Sequence, residues 1–200
     1  MRRIVLSFLM IILWQTIPEF TPPATAQSAA PAAAPTAGAR AEFLEEVSYY
    51  EQRFTRLAEA VPADKYSWKP GEGVRSAGEV YAHVAAANYA YARMLGTPLP
   101  TGVDLKAITS LGTDKTKIVQ VLKDSFAHLK QAVANIKDSD LDNSLKMPSG
   151  RQTTVRGAFI YIAGHTGEHL GQSIAYARSN GIVPPWTEDR QKQEAAKPKQ

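Results

Sequence analysis

Apolar residues recur through the middle of the chain with the period of an α-helix. Phe43, Val47, Tyr50, Phe54, Leu57 and Val61 follow one another in alternating steps of four and three, which draws one stripe along a helix. Val61-Pro62 ends it, because the residue before a proline is steered away from helical backbone. A loop follows from Pro62 to Arg75, with Trp68-Lys69-Pro70-Gly71 as its clearest turn signal. Ser76-Ala77-Gly78-Glu79 has the form of a capping box, in which hydroxyl and carboxylate each satisfy an orphan N–H. It opens a second helix that reaches about Leu95 and stops at Gly96 and Pro98. Thr113 or Asp114 caps a third helix, with Ile118, Leu122, Phe126, Leu129, Val133 and Ile136 on one face. The fourth starts near Thr154 and runs to Ser179, where Asn180-Gly181 supplies a left-handed turn and Pro184-Pro185 prevents continuation. Asp142 to Thr153 can hold a short extended turn, and nothing else alternates with period two. The pattern predicts an all-α fold, a four-helix bundle with loops long enough for crossovers.

The two ends do not share this periodicity. Met1-Arg2-Arg3, the apolar stretch Ile4 to Ile17 and the A-x-A site Ala24-Thr25-Ala26 have the layout of a signal peptide over residues 1–26. The apolar stretch is about 14 residues against the roughly 20 that span a bilayer, so cleavage is expected rather than a stable membrane anchor. Export to the periplasm or the exterior follows as an expectation. Residues 27–39, QSAAPAAAPTAGA, read as a Pro/Ala-rich flexible spacer. Residues 187–200 are polar, lack apolar periodicity and are expected to form a disordered tail. The predicted domain is therefore residues 40–186, 147 residues long, enough for a real core.

Composition narrows the chemistry. The leader and the tail each carry +1 of the overall +4, which leaves the domain at +2. That balance, with no dense Lys/Arg run, gives no reason to expect a nucleic-acid partner. There is no cysteine, which removes disulfides, thiolate metal sites, iron–sulfur clusters and thiol nucleophiles. Any metal must be held by His, Asp or Glu, and there are four histidines.

His165 and His169 stand four residues apart on the fourth helix, about 40° from one another around its axis. Tyr161, Glu168, Gln172 and Tyr176 share that side, while Phe159, Ala163, Leu170 and Ile174 lie opposite. The polar stripe is either a solvated face or the lining of an internal pocket. A His pair at this spacing can reach one ion, with Zn–N distances of about 2.0–2.1 Å. His83 shares a side of the second helix with Val80, Ala86, Ala87, Ala90 and Met94, an apolar face that must point inward. It is either a satisfied core histidine or a ligand approached by a neighbouring helix. His128 falls off the stripe of the third helix and is expected at the surface.

Trp68-Lys69-Pro70-Gly71, the capped segment Ser76 to His83, the run His165-Thr166-Gly167-Glu168-His169-Leu170-Gly171-Gln172 and the ending Tyr176 to Gly181 together resemble the DinB-like superfamily, across essentially all of residues 40–186. The resemblance implies a four-helix bundle in which His83, His165 and His169 bind a divalent metal ion, often zinc or nickel. It implies frequent homodimers too. Relatives include thiol-dependent transferases, isomerases and hydrolases acting on small molecules, and others with no known activity.

Three imidazoles leave open positions on an ion, where water or substrate is activated. Tyr161, Glu168, Gln172 and Tyr176 are then candidates to orient ligands or line the pocket, and Glu168 is the candidate catalytic carboxylate. The expected function is an exported metal-dependent hydrolase or transferase; the competing expectation is a non-enzymatic metal-binding or protein-interaction bundle of the cell envelope. Export weighs against the thiol-transferase version, since low-molecular-weight thiols of that kind are cytosolic. His165-Thr166-Gly167-Glu168-His169 also matches the H-x-x-E-H motif of inverted zinc proteases. Only 31 residues follow His169, too few for the distant acidic ligand of those enzymes.

Overall fold

In a computed structural model of the chain, residues 33–197 are described. The expected leader and the first half of the spacer lie outside them. Helix α1 spans Gly38–Ala60, α2 Ala77–Met94, α3 Leu105–Thr109 and α4 Lys115–Asn135. Strands β1 (Ser144–Lys146) and β2 (Gln152–Thr154) precede α5 (Val155–Ser179) and α6 (Pro185–Ala195). No helix among the described residues is long and apolar enough to cross a membrane.

The four long helices arise where the apolar stripes place them. Phe43, Val47, Phe54 and Leu57 of α1 are buried, as are Ile118, Leu122, Phe126, Leu129 and Val133 of α4. The cap signals act locally as their chemistry requires. Glu79 N–H donates to the Ser76 hydroxyl while Ser76 N–H donates to the Glu79 carboxylate at 2.6 Å. Asp114 caps α4 through Lys117 N–H, and Thr154 caps α5 through Gly157 N–H. Gly96 and Gly181 take φ of +95° and +72° after α2 and α5, backbone that glycine adopts without steric cost.

Around the bundle the neighbours run α1, α4, α2, α5 and back to α1. Consecutive helices α1 and α2 therefore sit on a diagonal, and so do α4 and α5. The connections that cross these diagonals carry their own anchors. After α1, the Tyr66 hydroxyl donates to the Ala58 carbonyl, and Tyr66 and Trp68 carbonyls accept from Gly78 and Ala77 N–H at the start of α2. Between α4 and α5 the chain forms the antiparallel β1–β2 hairpin, with Leu145 opposite Thr153; this is the short extended turn expected at Asp142–Thr153. The centre is aromatic: Phe54 meets Tyr81 across one diagonal at 6.3 Å and Phe126 at 6.0 Å. Phe43 stacks on Phe159 at 4.4 Å and fixes α5 against α1.

Two expectations need correction. Residues 187–200 were expected to fray from Thr187, but α6 continues to Ala195, and only 198–200 lie outside the described residues. Pro185 is pre-set for a first helical turn, Arg53 of α1 stacks over Trp186 at 4.3 Å, and Arg56 pairs with Asp189 at 2.7 Å. The helix is polar all round and held by these contacts, so no apolar period announced it. The second correction concerns His128. It is half-buried against Tyr89, with ring centroids 5.3 Å apart, and its Nε2 is buried without a hydrogen-bond partner. Close packing of α2 on α4, through Ala85, Ala132 and the Asn88–Ser125 hydrogen bond, draws that face inward.

Glycines separate sites where a side chain fits from sites where it does not. A Cβ on Gly78 would lie 2.6 Å from the Gly112 carbonyl oxygen and 3.0 Å from the Tyr66 ring, whereas one on Gly164 would meet nothing within 4 Å. Gly78→Ala is expected to destabilise the fold by about 1–3 kcal/mol, the cost of overpacking. Gly164→Ala is expected to stabilise it by about 0.5–1 kcal/mol, the helix preference of Ala over Gly. Urea-unfolding midpoints measure both, and a Gly78→Ala midpoint equal to wild type would contradict the packing described.

Candidate metal centre

His83 projects from the second turn of α2, and His165 and His169 from adjacent turns of α5. Neighbourhood of α2 and α5 in the bundle turns these faces toward each other. One ligand nitrogen from each of the three rings falls within 4.8 Å of the other two, and no other group of this kind occurs among the described residues. Ring centroids are 5.2 Å apart for His83–His165, 4.7 Å for His83–His169 and 4.6 Å for His165–His169. The polar stripe of α5 thus divides: half-buried His165, His169 and Gln172 turn toward a site that His83 joins, while Tyr161 and Glu168 stay exposed.

The donor set suits a cation. His83 Nε2 and His165 Nε2 face each other at 3.2 Å, and two imidazole lone pairs at that distance repel unless a proton or a metal ion lies between them. Two nitrogens bound tetrahedrally to one ion at about 2.0–2.1 Å would stand about 3.3 Å apart. His169 is oriented by a chain of hydrogen bonds. Gln172 Nε2 donates to the Tyr176 hydroxyl at 2.8 Å, which leaves Gln172 Oε1 to accept from His169 Nδ1–H at 2.9 Å. With Nδ1 protonated, the His169 Nε2 lone pair is the one free for the cluster, the tautomer that a metal ligand needs. Ser173 supports the same turn by donating to the His169 carbonyl at 2.8 Å.

Electrostatics keep two of these rings neutral. Burial, then the Arg75 charge and the His169 ring, lower the pKa of His83 from 6.5 to about 4. Burial, His169, His83 and Arg75 lower that of His165 to about 4 as well. Neutral imidazoles are the metal-binding form.

The other residues of the stripe divide. Gln172 touches a ligand ring. Tyr176 is buried against Trp68, with ring centroids 5.2 Å apart, and anchors Gln172. Tyr161 lies nearly parallel to His165 at 6.5 Å, is 38% exposed, and carries Arg151 over its ring at 5.4 Å. Glu168 is exposed and makes no hydrogen bond among the described residues, although its charge reaches the site wall by raising the Tyr91 pKa after burial and Tyr161 have done so. His128 takes no part in the cluster. Two wall residues were missed in the sequence. Tyr91 meets His165 edge-on at 5.5 Å; it follows His83 by eight residues, two turns along the same side of α2. Arg75 immediately precedes the Ser76 cap, a position read only as the end of a loop.

With this geometry in hand, similarity to known proteins can be stated. Residues 46–173 match the family model described as the DinB superfamily. YjoA of Bacillus subtilis, itself uncharacterised, is 28% identical over 134 residues, covering 62% of this chain and 80% of that protein. Its crystal structure superposes with a TM-score of 0.53 at 18% identity, covering 71% of this chain and 94% of that one. A DinB-like protein from Bacillus cereus superposes with a TM-score of 0.62 at 19% identity, over 72% of this chain and 93% of that one. YfiT of Bacillus subtilis, described as a probable metal-dependent hydrolase with an unusual four-helix-bundle topology, gives a TM-score of 0.57 at 15% identity, over 72% and 89%. At these identities the solved structures establish the fold.

The lowered imidazole pKa values set a direction for stability. Between about pH 6.5 and pH 4 the unfolded chain binds protons that folded His83 and His165 refuse. Stability of the metal-free protein therefore rises with pH through this window and is lost as pH falls across it. Thermal midpoints of chelator-treated protein are expected to drop over that interval, and to drop less in His165→Gln. Identical profiles for the two proteins would contradict the burial described.

Proposed function

The chain belongs to the DinB superfamily, and from that premise we propose that it holds one divalent metal ion on His83, His165 and His169 and acts as an exported metal-dependent hydrolase or transferase on a small molecule. The observation that carries the reading is the convergence of three imidazoles from two facing helices, with one tautomer set by Gln172. Zinc and nickel both suit an all-imidazole set. A bound ion of this kind supplies Lewis acidity and lowers the pKa of a coordinated hydroxyl or water.

The chain's own residues supply the rest. Gln172 and Tyr176 hold His169 in register, and Tyr91 and Tyr161 wall the ligand side of His165. Glu168, whose charge is felt at Tyr91, is the candidate carboxylate to take a proton. Hydrolysis is favoured over thiol transfer on two grounds. YfiT, which shares the fold, carries a hydrolase description, and the sequence Met1 to Ala26 has the layout of an export signal, which removes the chain from cytosolic thiols. Association of two copies as a homodimer, absence of a nucleic-acid partner and release from the membrane after signal cleavage belong to the same proposal.

A second reading keeps the metal and drops the chemistry: a non-enzymatic envelope bundle whose ion is structural or carried. The exposed, unbonded Glu168 favours it, since a general base is usually held in place.

Elemental analysis of the purified protein tests the proposal. Wild type is expected to retain roughly one divalent ion per chain, and His83→Ala/His165→Ala to lose it, because one remaining imidazole cannot hold an ion against water. Equal metal in both would overturn the three-histidine site. Turnover across a panel of ester, amide and thiol substrates then separates the two readings: metal-dependent hydrolysis supports the enzyme, and metal retention with no turnover supports the envelope bundle.

A further inference from the structure

Beside the histidine cluster lies a cleft of about 400 Å³ whose lining is mainly polar and includes Lys69, Arg75, Glu79, His83 and Thr109. His83 is common to both, so the cleft adjoins the cluster. Its walls come from the loop before α2, which the Tyr66 and Trp68 carbonyls tie to the start of that helix, from α2 itself and from the end of α3.

The charge in this cleft is left unneutralised by the protein. Lys69 and Arg75 both line it, and neither makes an ion pair or a side-chain hydrogen bond among the described residues, in contrast to cations such as Arg40, Arg56 and Lys130, which sit in ion pairs. Glu79, the one acid in the cleft, has its carboxylate occupied by Ser76 N–H at 2.6 Å. Two cations without partners thus flank a site built for a third, divalent one. Such an arrangement repels the metal unless an anion enters with it, and a guanidinium is a planar fork that matches an oxyanion in two places.

We propose that the cleft is the substrate's recognition site and that the substrate carries a compact oxyanion, a carboxylate or a phosphate, which Arg75 grips and Lys69 attracts while a neighbouring atom of the same molecule faces the three histidines. This deepens the metal-dependent reading above and rests on it for the second half of the contact. Metal and oxyanion bind with positive coupling, because each relieves repulsion that the other would face alone. Positive potential focused in a cleft also speeds capture of anionic molecules, and salt weakens that effect.

Calorimetric titration of the zinc-loaded full chain with acetate, and separately with sulfate as the doubly charged oxyanion, tests the site. Binding is expected to weaken by roughly tenfold or more in Arg75→Gln, the loss for one charge-assisted contact, while zinc is held at least as tightly as in wild type, since a repelling charge is gone, and the helical circular dichroism is unchanged. Lys69→Gln is expected to cost less, and Arg75→Lys to recover part of the affinity. Preference for acetate assigns a carboxylate substrate, and preference for sulfate a phosphate-like one. Equal affinity in wild type and Arg75→Gln, or no binding of either anion to wild type, overturns the proposal. A wild-type chain that took up no zinc would defeat the metal reading alone; the same Arg75 comparison on the metal-free chain would still decide the oxyanion site.

Discussion

Three imidazoles brought within ligand reach of one another repel when protonated, and the structure is organised around keeping them close with His83 and His165 neutral. The closeness comes from helix order. Placing α1 and α2 on one diagonal and α4 and α5 on the other makes α2 and α5 neighbours, and only neighbours can bring His83 to His165 and His169. Each diagonal requires a long connection, and each connection is pinned where it could otherwise drift. Tyr66 and Trp68 hold the start of α2, and the β1–β2 hairpin delivers Thr154 as the cap of α5. Neutrality comes from burial and from the Arg75 charge, which both disfavour the imidazolium form. The same burial leaves each ring a lone pair for a metal ion, so the feature that destabilises the cluster in acid is the one that equips it.

Most of the fold could be read from the sequence because it is written in local chemistry. Apolar steps of three and four, a capping box at Ser76–Glu79 and a glycine after the fourth helix each act within one or two turns, and each reappears in the structure close to its expected place. What was not legible depends on contacts between distant segments. α6 has no apolar face and exists through Arg53–Trp186 and Arg56–Asp189. His128 became half-buried because Tyr89 of another helix lies over it. The site divides the same way. His165, His169 and Gln172 share one helix face and were found by spacing alone; the partnership of His83 with them was implied by the family resemblance, and spacing could not have given it, because it depends on the order of helices around the bundle. Arg75 and Tyr91 were missed because neither carries a ligand signature; their significance is positional.

The bundle and the cluster do different work. DinB-like structures at 15–19% identity share the bundle with this chain, and a shared bundle says little about a reaction. The chemistry specific to a substrate lies at the rim, where an aromatic wall of Tyr91 and Tyr161 stands beside His165 and a cleft with two unpaired cations stands beside His83. The rim sets what may approach an ion, while the three histidines set that an ion is there.

That ion's coordination is the point on which the functional account turns. X-ray absorption spectroscopy at the edge of the metal that copurifies with the full chain reads it directly. The account predicts nitrogen neighbours at about 2.0–2.1 Å with the outer-shell scattering of three imidazole rings, the remaining positions held by light atoms. Coordination by oxygen alone, or by a single imidazole, would contradict it.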